Sequence, residues 1–257
     1  MGGPRGRIAP ALPASSIILV RDGKAGLEVL MTERAATMKF APGAFVFPGG
    51  KVDRTDEQNW RWQGITTGRG VFRDFSFRVA ALRELYEEAG ILQINGVRRA
   101  ILAPGLAFAD LIRYSGGKLD IASMVPFAHW VTPEPMPRRF DTHFYIAPHN
   151  GQDAKHDGNE AVSLRWVCPR KLLADWEEDK VPLMFPTRLN LTKLARSSTV
   201  ADAMRQARRA RVVRTLPVVN MDAAGVRLQI DEATGYGVTE ASGREIAVEA
   251  GGTAKKP

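Results

Sequence analysis

One cysteine in 257 residues, Cys168, excludes an internal disulfide and fits a reduced, cytoplasmic chain. Standing just after an expected strand, it reads as a small apolar residue rather than a nucleophile. Long hydrophobic runs are missing too. Ile17 to Val20 is only strand length, far from the ~18 residues of a membrane span. Pro4, Pro10 and Pro13 break any signal-like apolar core, and position 6 is not the Ser or Thr that myristoylation needs. The last residues, Lys255-Lys256-Pro257, are no peroxisomal address. Four histidines at 129, 143, 149 and 156 show no H-x-x-x-H spacing, so no zinc site is expected. Acidic residues are outnumbered, and the net charge is +8. Arg205, Arg208, Arg209, Arg211 and Arg214 supply much of the excess, in an expected helix following Ala201 to Met204. No aromatic stacking pattern accompanies them, so they read as a solvated face rather than a nucleic-acid contact. No internal repeat is present.

What the chain does have is a crowd of carboxylates. In Arg83-Glu84-Leu85-Tyr86-Glu87-Glu88-Ala89-Gly90-Ile91, helical geometry puts Glu84, Glu87 and Glu88 within an arc of roughly 100°. Like charges so spaced destabilise a helix by a few tenths of a kcal/mol. A sequence that accepts this repulsion generally has a cation to neutralise it, and hard oxygen ligands suit Mg²⁺ or Mn²⁺. A solvated helix face is the plain alternative, which the flanks oppose. Upstream, Phe45-Val46-Phe47 reads as a short strand stopped by Pro48 and a turn at Gly49-Gly50, where backbone can approach a ligand closely. Strand, glycine turn and acidic helix together suit a metal-bridged diphosphate.

These segments resemble the signature of the Nudix hydrolases: G, five residues, E, seven residues, then R-E-(apolar)-x-E-E-x-G-(apolar). Gly50 matches the opening glycine, and Asp56 stands where the pattern has Glu. Arg83, Glu84, Leu85, Glu87, Glu88, Gly90 and Ile91 match the second half throughout. The spacer departs from the pattern: Glu57 to Leu82 is 26 residues where seven are usual, an insertion of 19. Such an interrupted box is similar to the peroxisomal coenzyme A diphosphatase branch and its bacterial relatives. Two further segments support that likeness: Val29 to Arg34 followed by the F-P-G-G run, and Trp130-Val131-Thr132-Pro133 leading to Arg138 through Thr142.

The coarse pattern is α/β. Strands are expected at Ser16 to Arg21 and Leu27 to Thr32, joined by a turn at Asp22-Gly23. Residues 57 to 74 are loop-like, whereas Phe75, Val79, Leu82, Leu85 and Tyr86 make a core-facing helical stripe, so the insertion precedes the acidic helix without breaking it. Gly105 to Tyr114 reads as a helix, Phe127 to Val131 and Thr142 to Ile146 as paired strands, Ala161 to Val167 as another. Pro169 to Trp176 and Thr187 to Ala195 read as helices. Interleaved so, the elements make a mixed sheet covered by helices on both faces. The resemblance implies the same, an α/β/α sandwich with a helical insertion and a C-terminal extension. The expected division is a flexible N-terminus over 1–13, a hydrolase domain over 14–200, an extension over 201–249 packed on or next to it, and a disordered tail over 250–257.

The resemblance implies Glu87 and Glu88 as metal ligands, Glu84 as a third ligand or the base orienting water, and the Gly50 carbonyl as a backbone ligand. Arg83 would pair with Glu87 and hold the cluster, with Asp56 behind it. An additional acid from a later loop is expected at Glu160, with Asp157 as the other candidate. Arg34, beside Glu33, and Lys51 are candidate phosphate contacts. The expected partner is a small nucleotide-diphosphate substrate. Coenzyme A or acyl-CoA leads, giving 3′,5′-ADP and (acyl-)4′-phosphopantetheine. ADP-ribose, dinucleoside polyphosphates and a non-catalytic nucleotide sensor stay open.

Overall fold

Ile17, Ile18, Leu19 and Val20 are fully buried, as in a strand covered on both faces. They form the middle of β1 (Ala11–Gly23) in a computed structural model that describes residues 8–35, 41–68, 72–96, 105–154, 161–222, 225–241 and 243–249. Strand β1 starts at Ala11, inside the stretch expected to be flexible. It pairs with β2 (Gly26–Arg34) in the register Val20↔Val29, and the ladder runs on to Gly23↔Gly26. The hairpin therefore turns at Lys24 and Ala25, not at Asp22-Gly23. The Asp22 carboxylate is engaged elsewhere, accepting from the Val200 amide at 2.8 Å.

Next come β3 (Phe45–Val46), β4 (Gly49–Lys51) and a one-turn helix α1 (Asn59–Trp62). Helix α2 (Phe75–Ala89) leads to β5 (Ile94–Asn95), α3 (Phe108–Ser115) and β6 (Lys118–Leu119). Strands β7 (Val125–Val131), β8 (Arg139–Pro148) and β9 (Ala161–Val167) follow. Helices α4 (Pro169–Glu177), α5 (Phe185–Leu194) and α6 (Val200–Arg209) then precede β10 (Arg214–Thr215). The hairpin β11 (Val218–Asp222) and β12 (Gly225–Gln229) and helix α7 (Gly243–Glu249) close the described chain.

The main sheet has eight strands in the order β10-β7-β8-β1-β2-β3, with β4 also on β1 and β9 on β2. Strand β1 runs parallel to β8 and β10 parallel to β7, while the other pairs are antiparallel. Alternation along β1 divides the core. Ile17 and Leu19 join Leu30 and Tyr145 against Val79, Leu82 and Leu85 of α2 and Ile112 of α3. Ile18 and Val20 join Val29, Met31 and Ile146 against α4, α5 and α6, through Leu172, Leu189 and Met204. Each fully buried aliphatic side chain contributes roughly 1.5–3 kcal/mol. The result is the expected α/β/α sandwich.

The insertion is anchored by Trp62, buried in α1 against Phe108 with Nε1 donating to the Thr55 carbonyl at 3.1 Å. Helix α2 runs unbroken over the range its stripe predicts. The arginine-bearing helix does not: α6 ends at Arg209, Arg211 lies beyond it, and Arg214 is in β10. Ala203, Met204 and Ala207 of α6 belong to the same core as Ile18, so the chain past residue 200 is continuous with the sheet packing. Helix α7 had no sequence expectation. Its Glu245 is buried against Arg188 at 2.5 Å. No helix among the described residues is long and apolar enough to cross a membrane.

Candidate active site

Helix α2 is placed by its own sequence. Val79, Leu82 and Leu85 bury one stripe, and Gly90 ends the helix in the left-handed region (φ 65°), its N–H returning to the Tyr86 carbonyl. Near the N-terminus Arg78 is buried too. It donates to Asp74 at 3.0 Å and to the carbonyls of Ile121 and Met124 at 3.0 and 2.8 Å. That ties the first turns of the helix to the segment just before β7, while its C-terminal half faces β4.

The glycine pair of the box lies in strand β4, not in the expected turn. Gly49 and Gly50 pair with Ser16 and Ser15 of β1. What requires glycine is close approach. A Cβ at Gly50 would stand 2.5 Å from Cδ and Oε1 of Glu84, and one at Gly49 would run into the Ser15 carbonyl. The strand thus presses its bare backbone against the acidic side of α2.

Arg83, also buried, organises that side. Its Nη1 donates to Glu84 at 2.9 Å and Glu87 at 2.8 Å. Nη2 donates to the Lys51 carbonyl at 2.8 Å and to Asp56 at 3.0 Å, and Nε meets Asp56 at 3.1 Å. Asp56, fully buried, also accepts from the Asp53 amide at 2.8 Å. The departure from Glu at this position therefore yields a well-held partner for Arg83. Thr32 of β2 donates to Glu88 at 3.4 Å, which brings the third helix carboxylate to the same side.

Electrostatics follow from the count. Asp56, Glu84 and Glu87 share one guanidinium through hydrogen bonds, leaving a formal charge of −2 among these four groups, and the exposed Asp53 adds a further carboxylate at 3.9 Å from Arg83. Burial pushes the Glu84 carboxyl above its ordinary pKa; Arg83 opposes this, and Glu87 and Asp56 reinforce it. Glu87 is raised for the same reasons, burial first, with Asp56 and Asp53 adding repulsion. Burial works against the Arg83 charge, but Asp56 outweighs it and holds the guanidinium above its usual range. A surplus of −2 among oxygen donors, beside a strand with no side chain in the way, is a fitting bed for one hard divalent cation.

Other expected residues are less central. Lys51 brings its carbonyl to Arg83, while its own side chain is exposed. Arg34 ends β2 two residues beyond Thr32, with its amide bonded to the Ala44 carbonyl at 3.1 Å. Glu33 is bound to Ser163 and Arg165. Glu160 and Asp157 lie outside the described residues. Sequence reasoning missed the anchor Arg78, and it missed a grouping of His129, Asp141 and His143 on β7 and β8. The available signal was D-x-H in an alternating strand, which puts both side chains on one face.

The NUDIX domain family model matches residues 11–185, more than half of the chain. The chain belongs to this family. A solved NUDIX hydrolase from Alicyclobacillus acidocaldarius is 29% identical, with a TM-score of 0.66 over 77% of this chain and 97% of that one. A Caenorhabditis elegans protein that carries the name nudix hydrolase 7 is 31% identical over 192 residues, 71% of this chain and 60% of its own length. The acyl-coenzyme A diphosphatase of Gallus gallus is 24% identical over 247 residues, 70% of this chain and 64% of its own. The NUDIX chain spans about three fifths of the length of the curated relatives it matches.

Proposed function

We propose that this NUDIX protein is a divalent-metal-dependent hydrolase of the diphosphate linkage in coenzyme A or acyl-CoA, releasing 3′,5′-ADP and (acyl-)4′-phosphopantetheine. The observation that carries the hydrolase reading is the −2 surplus of Asp56, Glu84 and Glu87 around Arg83, set against Gly50. The CoA reading is supported by the interrupted box and by relatives named acyl-coenzyme A diphosphatase at 24% identity.

Glu84, Glu87, Glu88 and the Gly50 carbonyl would hold Mg²⁺ or Mn²⁺. When bound, such a cation screens the phosphate charge, polarises a phosphoryl oxygen and lowers the pKa of water. Glu84 is proposed as a third ligand or as the base that orients the attacking water, a role for which it stands beside Gly50 and is held by Arg83. The water oxygen joins one phosphorus, and the bridging oxygen leaves with the other. Glu160 is proposed as the additional catalytic carboxylate. Arg83 positions the carboxylates through its bonds to Glu84, Glu87 and Asp56. Arg34 and Lys51 are proposed to contact the substrate phosphates.

The test supplies the purified chain with Mg²⁺ or Mn²⁺ and a panel of CoA, acyl-CoA, ADP-ribose, NADH and diadenosine polyphosphates. CoA or acyl-CoA is expected to turn over fastest. A faster ADP-ribose or dinucleotide reaction overturns the substrate assignment, and no turnover of any compound overturns the hydrolase.

A further inference from the structure

The hairpin of β7 and β8 carries three metal-capable side chains on one face. His129 and His143 are direct cross-strand partners, and Asp141 is two residues from His143. The imidazole centroids lie 4.1 Å apart. Asp141 Oδ1 is 2.5 Å from His129 Nε2 and 4.0 Å from His143 Nε2. One ligand atom from each residue fits within 4.8 Å of the others. All three side chains are half-buried, so the group has a protein floor and a solvent-facing side. Phe77 of α2 lies against His143, also with centroids 4.1 Å apart, and closes one flank.

We propose that His129, Asp141 and His143 form a second metal site, selective for a borderline divalent cation of the Zn²⁺ type. Metal bonds of about 2.0–2.2 Å place tetrahedral ligands about 3.3 Å apart. To reach that spacing the 2.5 Å separation opens and the 4.0 Å one closes, and all three ligand atoms already lie within 4.8 Å of one another. Two imidazoles and one carboxylate favour Zn²⁺-like cations over Mg²⁺, unlike the all-oxygen set on α2. Three protein ligands leave a fourth position for water, on the half-exposed side. The site is separate from the carboxylates: Ser15 of β1 pairs with His143 on one side and Gly50 on the other, about 10 Å across two strand spacings.

Only Asp141 and His143 are linked by a local spacing; His129 comes from the other strand, across a long turn. The site does not depend on the proposed hydrolysis, and its test can succeed or fail apart from it. Co²⁺ is titrated into the tag-free full chain and into E87Q/E88Q, followed by its visible d–d absorption and by displacement with Zn²⁺. One four-coordinate Co²⁺ per chain is expected in both, with affinity at least ~10-fold weaker in His129→Asn, Asp141→Asn and His143→Asn. Pulsed EPR of Cu²⁺ on the unmutated chain adds a readout that needs no variant: two coordinated imidazoles are expected. A Co²⁺ band lost in E87Q/E88Q, unchanged in the His129 and His143 variants, or absent throughout overturns the proposal. So does a Cu²⁺ spectrum with one imidazole or none.

Discussion

Helix α2 buries two arginines five residues apart, and their surroundings differ in kind. Arg78 meets one carboxylate, Asp74, and two backbone carbonyls, and its guanidinium lies 4.4 Å from the Phe72 ring centroid. Arg83 hydrogen-bonds to three carboxylates and one carbonyl, with Asp53 a fourth carboxylate at 3.9 Å. Burial alone would raise Asp74, yet its bonds to Arg78 and Tyr145 outweigh that and leave its pKa lowered. Around Arg83 the balance reverses, and Glu84 and Glu87 stay raised. A cation matched one to one holds a helix in place. A cation outnumbered by its carboxylates leaves negative charge uncompensated, the surplus that the proposed divalent ion would neutralise. Lys193 gives the third case: its ammonium has the Phe127 carbonyl at 2.7 Å and the Phe127 ring in place of a carboxylate, and burial followed by Arg196 pushes its pKa down to about 8.

Breaking the matched pair should have the largest effect on the fold. Arg78→Met removes the donor to two carbonyls and leaves Asp74 with Tyr145 alone, and urea unfolding should show a loss of about 3 kcal/mol. Wild-type stability in that variant would mean that Arg78 anchors nothing. At the outnumbered cation the effect moves from stability to chemistry. Glu87→Gln should slow turnover at least ~100-fold, about 2.7 kcal/mol in the barrier. Its metal-free form should gain a few tenths of a kcal/mol, because one repulsive charge is gone. Wild-type turnover in this variant would remove Glu87 from the site.

Gly50→Ala tests the approach of strand to helix. A Cβ at 2.5 Å from the Glu84 carboxylate should displace it, at a cost of about 1–2 kcal/mol seen in thermal unfolding, with a fall in metal affinity. The smallest effect is expected at Lys193. Its folded pKa, about 8, lies below the ordinary 10.5, so between these values the unfolded chain binds more protons. Stability from this group therefore rises with pH across that window and is flat below it. Lys193→Met should remove a rise on the order of 1 kcal/mol, read as the difference between the two pH profiles.

How much the sequence disclosed depended on distance along the chain. Helix α2 was legible in range and in face because its period and its Gly90 stop are local. Asp56 and Arg83 were legible only through the family pattern, since an insertion of 19 residues separates them from their usual spacing. The glycine pair was misread as a turn: nothing local says that β1 lies beside it, and a strand needs glycine where another element presses close. The Asp22-Gly23 turn failed similarly, because the strand register and the Val200 amide outrank local turn preference. Arg78 takes part of its meaning from the carbonyls of Ile121 and Met124, and His129 from Asp141 and His143 on the next strand, none of them local in sequence.

Mg²⁺ binding to the unmutated chain and to Glu87→Gln, followed by isothermal titration, puts the central claim to the most direct test. Mg²⁺ shuns imidazole ligands, so the histidine group does not contribute to the signal. The charge surplus around Arg83 predicts saturable binding in the first protein and affinity at least ~10-fold weaker in the second. Equal affinity in the two, or no binding in either, would contradict the account.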